Sequence, residues 1–99
     1  MGASFDSREY RIAGGLSMEN KRAIASKWKS DVESCLFENG HSYSGGIGML
    51  GAEIDWRDKV FDSISDAEEW IQDNHEKWEN GIGVKTKDGY IVIGGWCSS

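Results

Sequence analysis

The chain has 99 residues, of which 38% are hydrophobic, and its 11 basic and 17 acidic side chains give a net charge of −6. This length and apolar content predict a single domain, residues 1–99, and argue against a disordered chain. No run of about 18 apolar residues occurs, and the N-terminal residues lack the basic and apolar regions of a signal peptide. We therefore expect a cytoplasmic protein without a membrane span.

The two cysteines, Cys35 and Cys97, lie far apart and form neither a CxxC pair nor a Cys/His ligand pattern. A disulfide framework or a zinc site would require closer or repeated spacing. The sequence therefore predicts free thiols, no metal site and no cofactor.

The first part of the chain predicts a strand followed by a helix. Residues 4–12 form a run of strand length with three apolar side chains, and Gly14 and Gly15 end it. Ser17 is a suitable N-cap and the Asn-Gly pair at residues 39–40 a suitable stop for a helix between them. The apolar side chains expected on its buried face are Ile24, Trp28, Val32, Cys35 and Leu36.

The middle of the chain predicts two extended segments and a second helix. Residues 41–50 place apolar or small side chains at every second position, and residues 53–61 form a second extended segment expected to pair with the first. Ser65 and Glu68 match a capping box, which predicts the start of a helix. The face of this helix toward the core is expected to carry Ala67, Trp70, Ile71, Asn74 and Trp78.

The last part of the chain predicts a hairpin. Asp88 and Gly89 form a two-residue turn signal between β-rich runs at residues 82–87 and 90–96. The predicted order is therefore β-α-β-β-α-β-β. This order favours an α+β fold with an antiparallel or mixed sheet and both helices on one face. A ferredoxin-like fold with an added strand is one arrangement of this kind.

Three glycines, Gly46, Gly48 and Gly51, match the spacing GxGxxG. In a dinucleotide site this motif follows a strand and opens a helix, whereas here the residues after Gly51 continue in extended character. We expect these glycines to permit a bend or close packing instead.

The net charge is concentrated in one segment. Between residues 62 and 79 there are seven acids and one base, 1 − 7 = −6, and the rest of the chain is balanced at 10 bases and 10 acids. Such a helix repels phosphate, so direct nucleic-acid binding through this face is disfavoured, but it can meet a basic surface of a partner protein. A solvated face that keeps the protein soluble is the simpler interpretation. The acids expected to bind a partner are Asp66, Glu68, Glu69, Asp73 and Glu76.

The five tryptophans divide into two groups. Trp28, Trp70 and Trp78 lie on predicted apolar helix faces and are expected in the core. Trp56 is surrounded by charges and Trp96 is followed by the small residues near the C-terminus, so these two are the candidate exposed anchors for a partner.

No catalytic arrangement is recognisable. His41 and His75 are the only histidines, no GxSxG motif occurs, and the carboxylates have ordinary helix-surface spacing. We therefore expect a protein without enzymatic activity. An enzyme whose carboxylates come together only in the folded chain is an alternative to this expectation.

The second half of the chain resembles small accessory proteins that bacteriophages encode in their early regions. The segments that carry the resemblance are "FDSISDAEEWIQDNHEKWENGIGVK", "YIVIGGWCSS" and "YSGGIGM". The resemblance implies a protein that acts in the cytoplasm of an infected bacterium by binding and blocking a host or defence protein.

The leading hypothesis is an inhibitor of a bacterial defence system, of the anti-CRISPR type, whose acidic helix covers a basic surface meant for nucleic acid. The alternative is a small-ligand or nucleotide-binding or sequestering protein, in the form of a homo-oligomer, that uses the glycine-rich strand and aromatic side chains as its pocket.

Overall fold

The computed structural model describes residues 2–38, 46–76 and 78–98. The elements in chain order are β1 (Ala3–Arg11), α1 (Met18–Glu38), a short 3-10 helix (Ile47–Met49), β2 (Ile54–Phe61), α2 (Ile64–Asn74), β3 (Gly81–Thr86) and β4 (Tyr90–Ser98). The strands form one sheet in the order β1-β4-β3-β2. Strand β4 is antiparallel to both neighbours and β2 is parallel to β3. The predicted α+β class with a mixed sheet and two helices is confirmed.

The two helices pack on opposite faces of the sheet, so the prediction that both lie on one face is wrong. In β4 the side chains of Ile91 and Ile93 belong to the cluster under α1, whereas Val92 belongs to the cluster under α2. Adjacent side chains of a strand point to opposite faces, so the run Ile91-Val92-Ile93 must be covered from both sides. The fold is therefore a three-layer sandwich of helix, sheet and helix.

Each layer of the core has its own set of buried side chains. Those on the α1 side are Ile24, Trp28, Val32, Ile47, Leu50, Ile91, Ile93 and Cys97. Those on the α2 side are Ala67, Ile71, Ile82, Val84 and Val92. The predicted buried face of α1 is confirmed at Ile24, Trp28 and Val32.

The prediction of a strand at residues 41–50 is wrong for residues 46–50, the part of this segment that the structure describes. Residues 39–45 lie outside the described residues, and Ile47–Met49 form a turn of 3-10 helix that packs under α1. Gly48 is close to α1, since a Cβ atom at this position would lie 3.1 Å from Leu36. Strand β2 follows Gly51, which confirms that the residues after the GxGxxG spacing are extended and do not form the α-helix of a dinucleotide site.

The helix starts follow hydroxyl caps. Ser17 Oγ accepts a hydrogen bond from the backbone N–H of Asn20 at 3.1 Å, as the sequence predicts. Helix α2 is capped by Ser63 instead of Ser65: Ser63 Oγ accepts from the backbone N–H of Asp66 at 3.1 Å. Helix α2 ends at Asn74, before the predicted core residue Trp78.

The buried imidazole of His75 joins the end of α2 to two other parts of the chain. Its Nδ1 accepts the backbone N–H of Trp96 at 2.9 Å, and its Nε2 lies 3.2 Å from the carbonyl oxygen of Glu79 and 3.0 Å from that of Asn80. A neutral ring with its proton on Nε2 satisfies these contacts, because Nδ1 must accept while Nε2 donates. His75 thus fixes the turn after α2 against β4.

Gly94 should be a sensitive position, because strands β1 and β4 approach closely there. A Cβ atom at Gly94 would lie 2.6 Å from the Cβ of Ser7 and 2.7 Å from the carbonyl oxygen of Asp6. We expect Gly94→Ala to lower the free energy of unfolding by about 1–3 kcal/mol, measured by urea denaturation. Gly15→Ala, where the added methyl group meets nothing within 4 Å, is the control and should change stability by less than about 1 kcal/mol. Equal effects of the two substitutions would contradict this packing.

Stability should fall in alkaline solution. Burial, with a contribution from the charge of Asp6, raises the pKa of the Cys97 thiol from 9.0 to about 12. Burial and the hydrogen bond to Asp31 raise the pKa of Tyr10 above its ordinary value of 10.0. The unfolded chain therefore releases these protons at lower pH than the folded chain, so their contribution is complete below about pH 9 and declines above it. Urea denaturation from about pH 8 to about pH 10.5 should show this decline, and Cys97→Ala should reduce it. An equally steep decline in that variant would argue against a role for the thiol.

Candidate functional site

The helices leave little of the sheet open to a partner. Both faces of the inner strands β3 and β4 are buried, so only the sheet edges and the outer helix surfaces are accessible.

None of the helices in the described ranges is long and apolar enough to cross a membrane. Among the same residues, no group of three or more His, Cys, Asp or Glu side chains is arranged to hold a metal ion.

The β1 edge is occupied by its own side chains. Asp6 Oδ1 accepts the backbone N–H of Ser7 at 3.0 Å, and Arg8 Nη1 donates to the carbonyl oxygen of Ser7 at 2.8 Å. The two side chains also form a salt bridge of 3.0 Å with each other. We call this arrangement the Asp6–Arg8 clamp. It engages both backbone groups of Ser7, which a further strand would need for pairing.

The opposite edge, β2, has a similar device. Arg57 and Asp55, again two residues apart, form a salt bridge of 2.8 Å. The pairing with β3 also shifts register between Trp56 and Val60, which bends the strand. Charges and bulges of this kind protect edge strands from pairing with other chains. Recognition of a partner therefore falls to the surfaces formed by the helices.

A depression of the described surface lies between α2 and the end of β2. Its volume is about 500 Å³. Aromatic and acidic side chains line it together with one base: Val60, Phe61, Asp62, Asp66, Glu69, Trp70, Asp73 and Lys87. Trp70 packs against Phe61 with ring centroids 5.6 Å apart and forms the apolar floor.

Three of the four acids in this depression follow one line along α2. Asp66, Glu69 and Asp73 are separated by three and four residues, which is the spacing of one helix face, whereas Asp62 precedes the helix. Asp62 forms an exposed salt bridge of 2.7 Å with Lys87. Within the described ranges, the other three carboxylates form no salt bridge. We call Asp66, Glu69 and Asp73 the acidic line.

Two cations of β2 lie next to the Trp70 ring. Arg57 and Lys59 are 6.0 and 5.8 Å from the centre of the Trp70 ring, within the range of cation–π attraction. The hydrogen bond to Asp55 raises the pKa of the Arg57 guanidinium, and the charge of Glu79 acts in the same direction. Arg57 thus contacts both Trp70 and Asp55.

A second depression of about 480 Å³ is lined by Ile54, Asp55, Trp78, Glu79 and Asn80, and Asp55 is the salt-bridge partner of Arg57. We define the α2–β2 surface as the lining of the two depressions together with Arg57 and Lys59. Its charged side chains are three bases and six acids, 3 − 6 = −3. The acids are Asp55, Asp62, Asp66, Glu69, Asp73 and Glu79.

The predicted partner-binding acids are only partly brought together. Asp66, Glu69 and Asp73 are exposed on the α2–β2 surface. Glu68 lies on another side of α2 and accepts a hydrogen bond of 2.6 Å from Ser7 Oγ of β1, so its carboxylate is used within the fold. Glu76 follows the end of α2 and is exposed.

The predicted exposed tryptophans are both half-buried. The indole N–H of Trp96 donates to the carbonyl oxygen of Gln72 at 2.9 Å, and its ring packs edge-on against Phe5. Trp56 packs against the α1 layer of the core. Trp78, which was expected in the core, is 65% exposed because α2 ends before it. The helix periodicity could not show this, since it continues past the actual end of the helix.

Comparison of the chain with protein-family models, with curated proteins and with solved structures finds no match. The arrangement of the α2–β2 surface is therefore the basis for a functional assignment.

The Asp6–Arg8 clamp should keep the β1 edge from pairing with another copy of the chain. We expect Arg8→Ala to increase self-association at high protein concentration, because the carbonyl oxygen of Ser7 loses its donor. Size-exclusion chromatography with light scattering measures the effect. Arg22→Ala, which removes an exposed charge from α1, is the control and should leave the molar mass unchanged. Identical behaviour of the two variants would show that the clamp does not protect the edge.

Proposed function

We propose that the protein is a non-enzymatic binding protein that covers a basic, nucleic-acid-binding surface of a bacterial protein. The acidic line of the α2–β2 surface is the proposed contact. The observation that supports this function best is that Asp66, Glu69 and Asp73 lie exposed on one helix face and form no salt bridge with other described residues.

The spacing of the acidic line suits a surface built for phosphates. With a rise of about 1.5 Å per residue, Asp66 and Asp73 are separated by about 10 Å along the helix axis. One strand of a nucleic acid carries one negative charge per roughly 3.4 Å, so a basic groove spaces its Lys and Arg side chains over comparable lengths. A short row of carboxylates on a rigid helix can pair with several of these side chains at once. Such contacts accelerate association and weaken as salt concentration rises.

The resemblance of the second half of the chain to early accessory proteins of bacteriophages supports a defence protein of the infected cell as the partner. A CRISPR effector, with its positively charged channel for nucleic acid, has the required surface. The proposed place of action is the bacterial cytoplasm. The alternative function is a pocket for a small ligand. It is disfavoured at Ile47 and Gly48, which are buried under α1.

A displacement assay tests this function. The test panel consists of purified, guide-loaded CRISPR effectors, a restriction enzyme and a nucleoid protein, each bound to a fluorescently labelled nucleic acid. The protein is added to each complex, and release of the labelled nucleic acid is followed by fluorescence anisotropy. We expect release from at least one member of this panel. Asp66→Lys combined with Glu69→Lys and Asp73→Lys should weaken that release at least about tenfold at low salt, because three attractive contacts become repulsive.

The matched control reverses three exposed acids of α1, Glu19, Glu33 and Glu38, on the opposite side of the sheet. Both variants change the net charge from −6 to −6 + 6 = 0, so a non-specific charge effect would weaken them equally. Circular dichroism verifies that both are folded. Equal loss in the two variants, or release that does not depend on salt, would contradict a contact through the acidic line.

A further inference from the structure

Trp78 has an unusual backbone conformation. Its φ angle is +78°, and among residues 2–38, 46–76 and 78–98 every other residue with positive φ is a glycine. A bulky side chain in this left-handed region is disfavoured by steric contact between Cβ and the backbone. Its side chain is also 65% exposed, so burial in the chain's own core does not compensate for the strain.

The turn that holds Trp78 is fixed by hydrogen bonds on both sides. The backbone N–H of Glu79 donates to the carbonyl oxygen of Glu76 at 3.2 Å, and the backbone N–H of Glu76 donates to Oε1 of Glu79 at 2.9 Å. Buried His75 lies 3.2 and 3.0 Å from the carbonyl oxygens of Glu79 and Asn80, and the same ring accepts the backbone N–H of Trp96 in β4. The surrounding contacts therefore hold a strained residue in place, a pattern that is typical of binding sites.

The chemistry around Trp78 indicates the kind of surface that it fits. It shares its depression with the apolar side chain of Ile54 and the carboxylates of Asp55 and Glu79. An indole with a border of carboxylates complements an apolar pocket bordered by Lys or Arg, and it disfavours an anionic lipid surface. Arg57 connects this depression to the one that carries the acidic line, since it forms a salt bridge with Asp55 and lies 6.0 Å from the centre of the Trp70 ring.

We infer that Trp78 is the apolar anchor of the α2–β2 surface, held in a strained turn so that its indole enters an apolar pocket beside the basic groove of the partner protein. This inference rests on the proposed function. The acidic line supplies attraction and orientation, and Trp78 supplies the desolvated contact that slows dissociation. Tryptophan is among the residues that contribute most to binding when it is buried at an interface.

Trp78→Gly tests the anchor, because glycine adopts the left-handed conformation without steric cost. We expect the midpoint of thermal unfolding to stay the same or to rise by up to about 3 °C, since strain is removed and little buried surface is lost. In the displacement assay described above, the same variant should release nucleic acid at least about tenfold less efficiently. Trp78→Phe keeps an aromatic ring and should lose less.

Phe37→Ser is the matched control, because Phe37 is an aromatic residue of α1 that is 83% exposed and lies on the other side of the sheet. It should not change release. A lower unfolding midpoint in Trp78→Gly would show that the indole supports the fold, and unchanged release by that variant would show that it does not contact the partner. Either result overturns the anchor while leaving the acidic line intact. Failure of the unsubstituted protein to release nucleic acid from every member of the panel overturns the proposed function, and the anchor with it.

Discussion

Strand β4 needs a cover on both of its faces, and most of the architecture follows from this requirement. Its apolar side chains alternate between the two layers of the core, with Ile91 and Ile93 under α1 and Val92 under α2. A single layer of helices would leave one of these sets in water, at a cost of about 1.5–3 kcal/mol for each large apolar side chain. Strand β4 also pairs with both β1 and β3, so it organises the sheet as well as the core.

The three-layer arrangement decides which surfaces can meet a partner. With both faces of the inner strands covered, the outer strands are exposed mainly at their edges, and each edge carries an Asp-x-Arg salt bridge. These edge contacts disfavour sheet extension, including the pairing of two copies of the chain. The outer surfaces of the two helices and the turn after α2 then remain for recognition, and the acidic line and Trp78 lie on the α2 side.

The turn after α2 connects the core to this surface. His75 is buried and fully hydrogen-bonded, and its contacts extend from β4 to the carbonyl oxygens that follow Trp78. A histidine in the core is often a structural residue, and here it has that role while also positioning an exposed aromatic side chain. The strain at Trp78 is a local conflict between sequence and backbone, and such conflicts are concentrated at functional sites in natural proteins.

The sequence by itself determined the α+β class, both helices, the hairpin and the concentration of negative charge near α2, because these depend on local periodicity, turn residues and composition. Ile24, Trp28 and Val32 were assigned to the core correctly for the same reason. Only the tertiary structure decided which helix covers which face, since a continuous apolar run such as residues 91–93 requires cover on both sides but does not specify which element supplies it. The tertiary structure also places Glu68 in contact with β1. It leaves Trp56 and Trp96 half-buried and Trp78 exposed. The environments of these side chains depend on the residue at which α2 ends and on the strand that lies beside α2. Local residue preference sets neither of these two features.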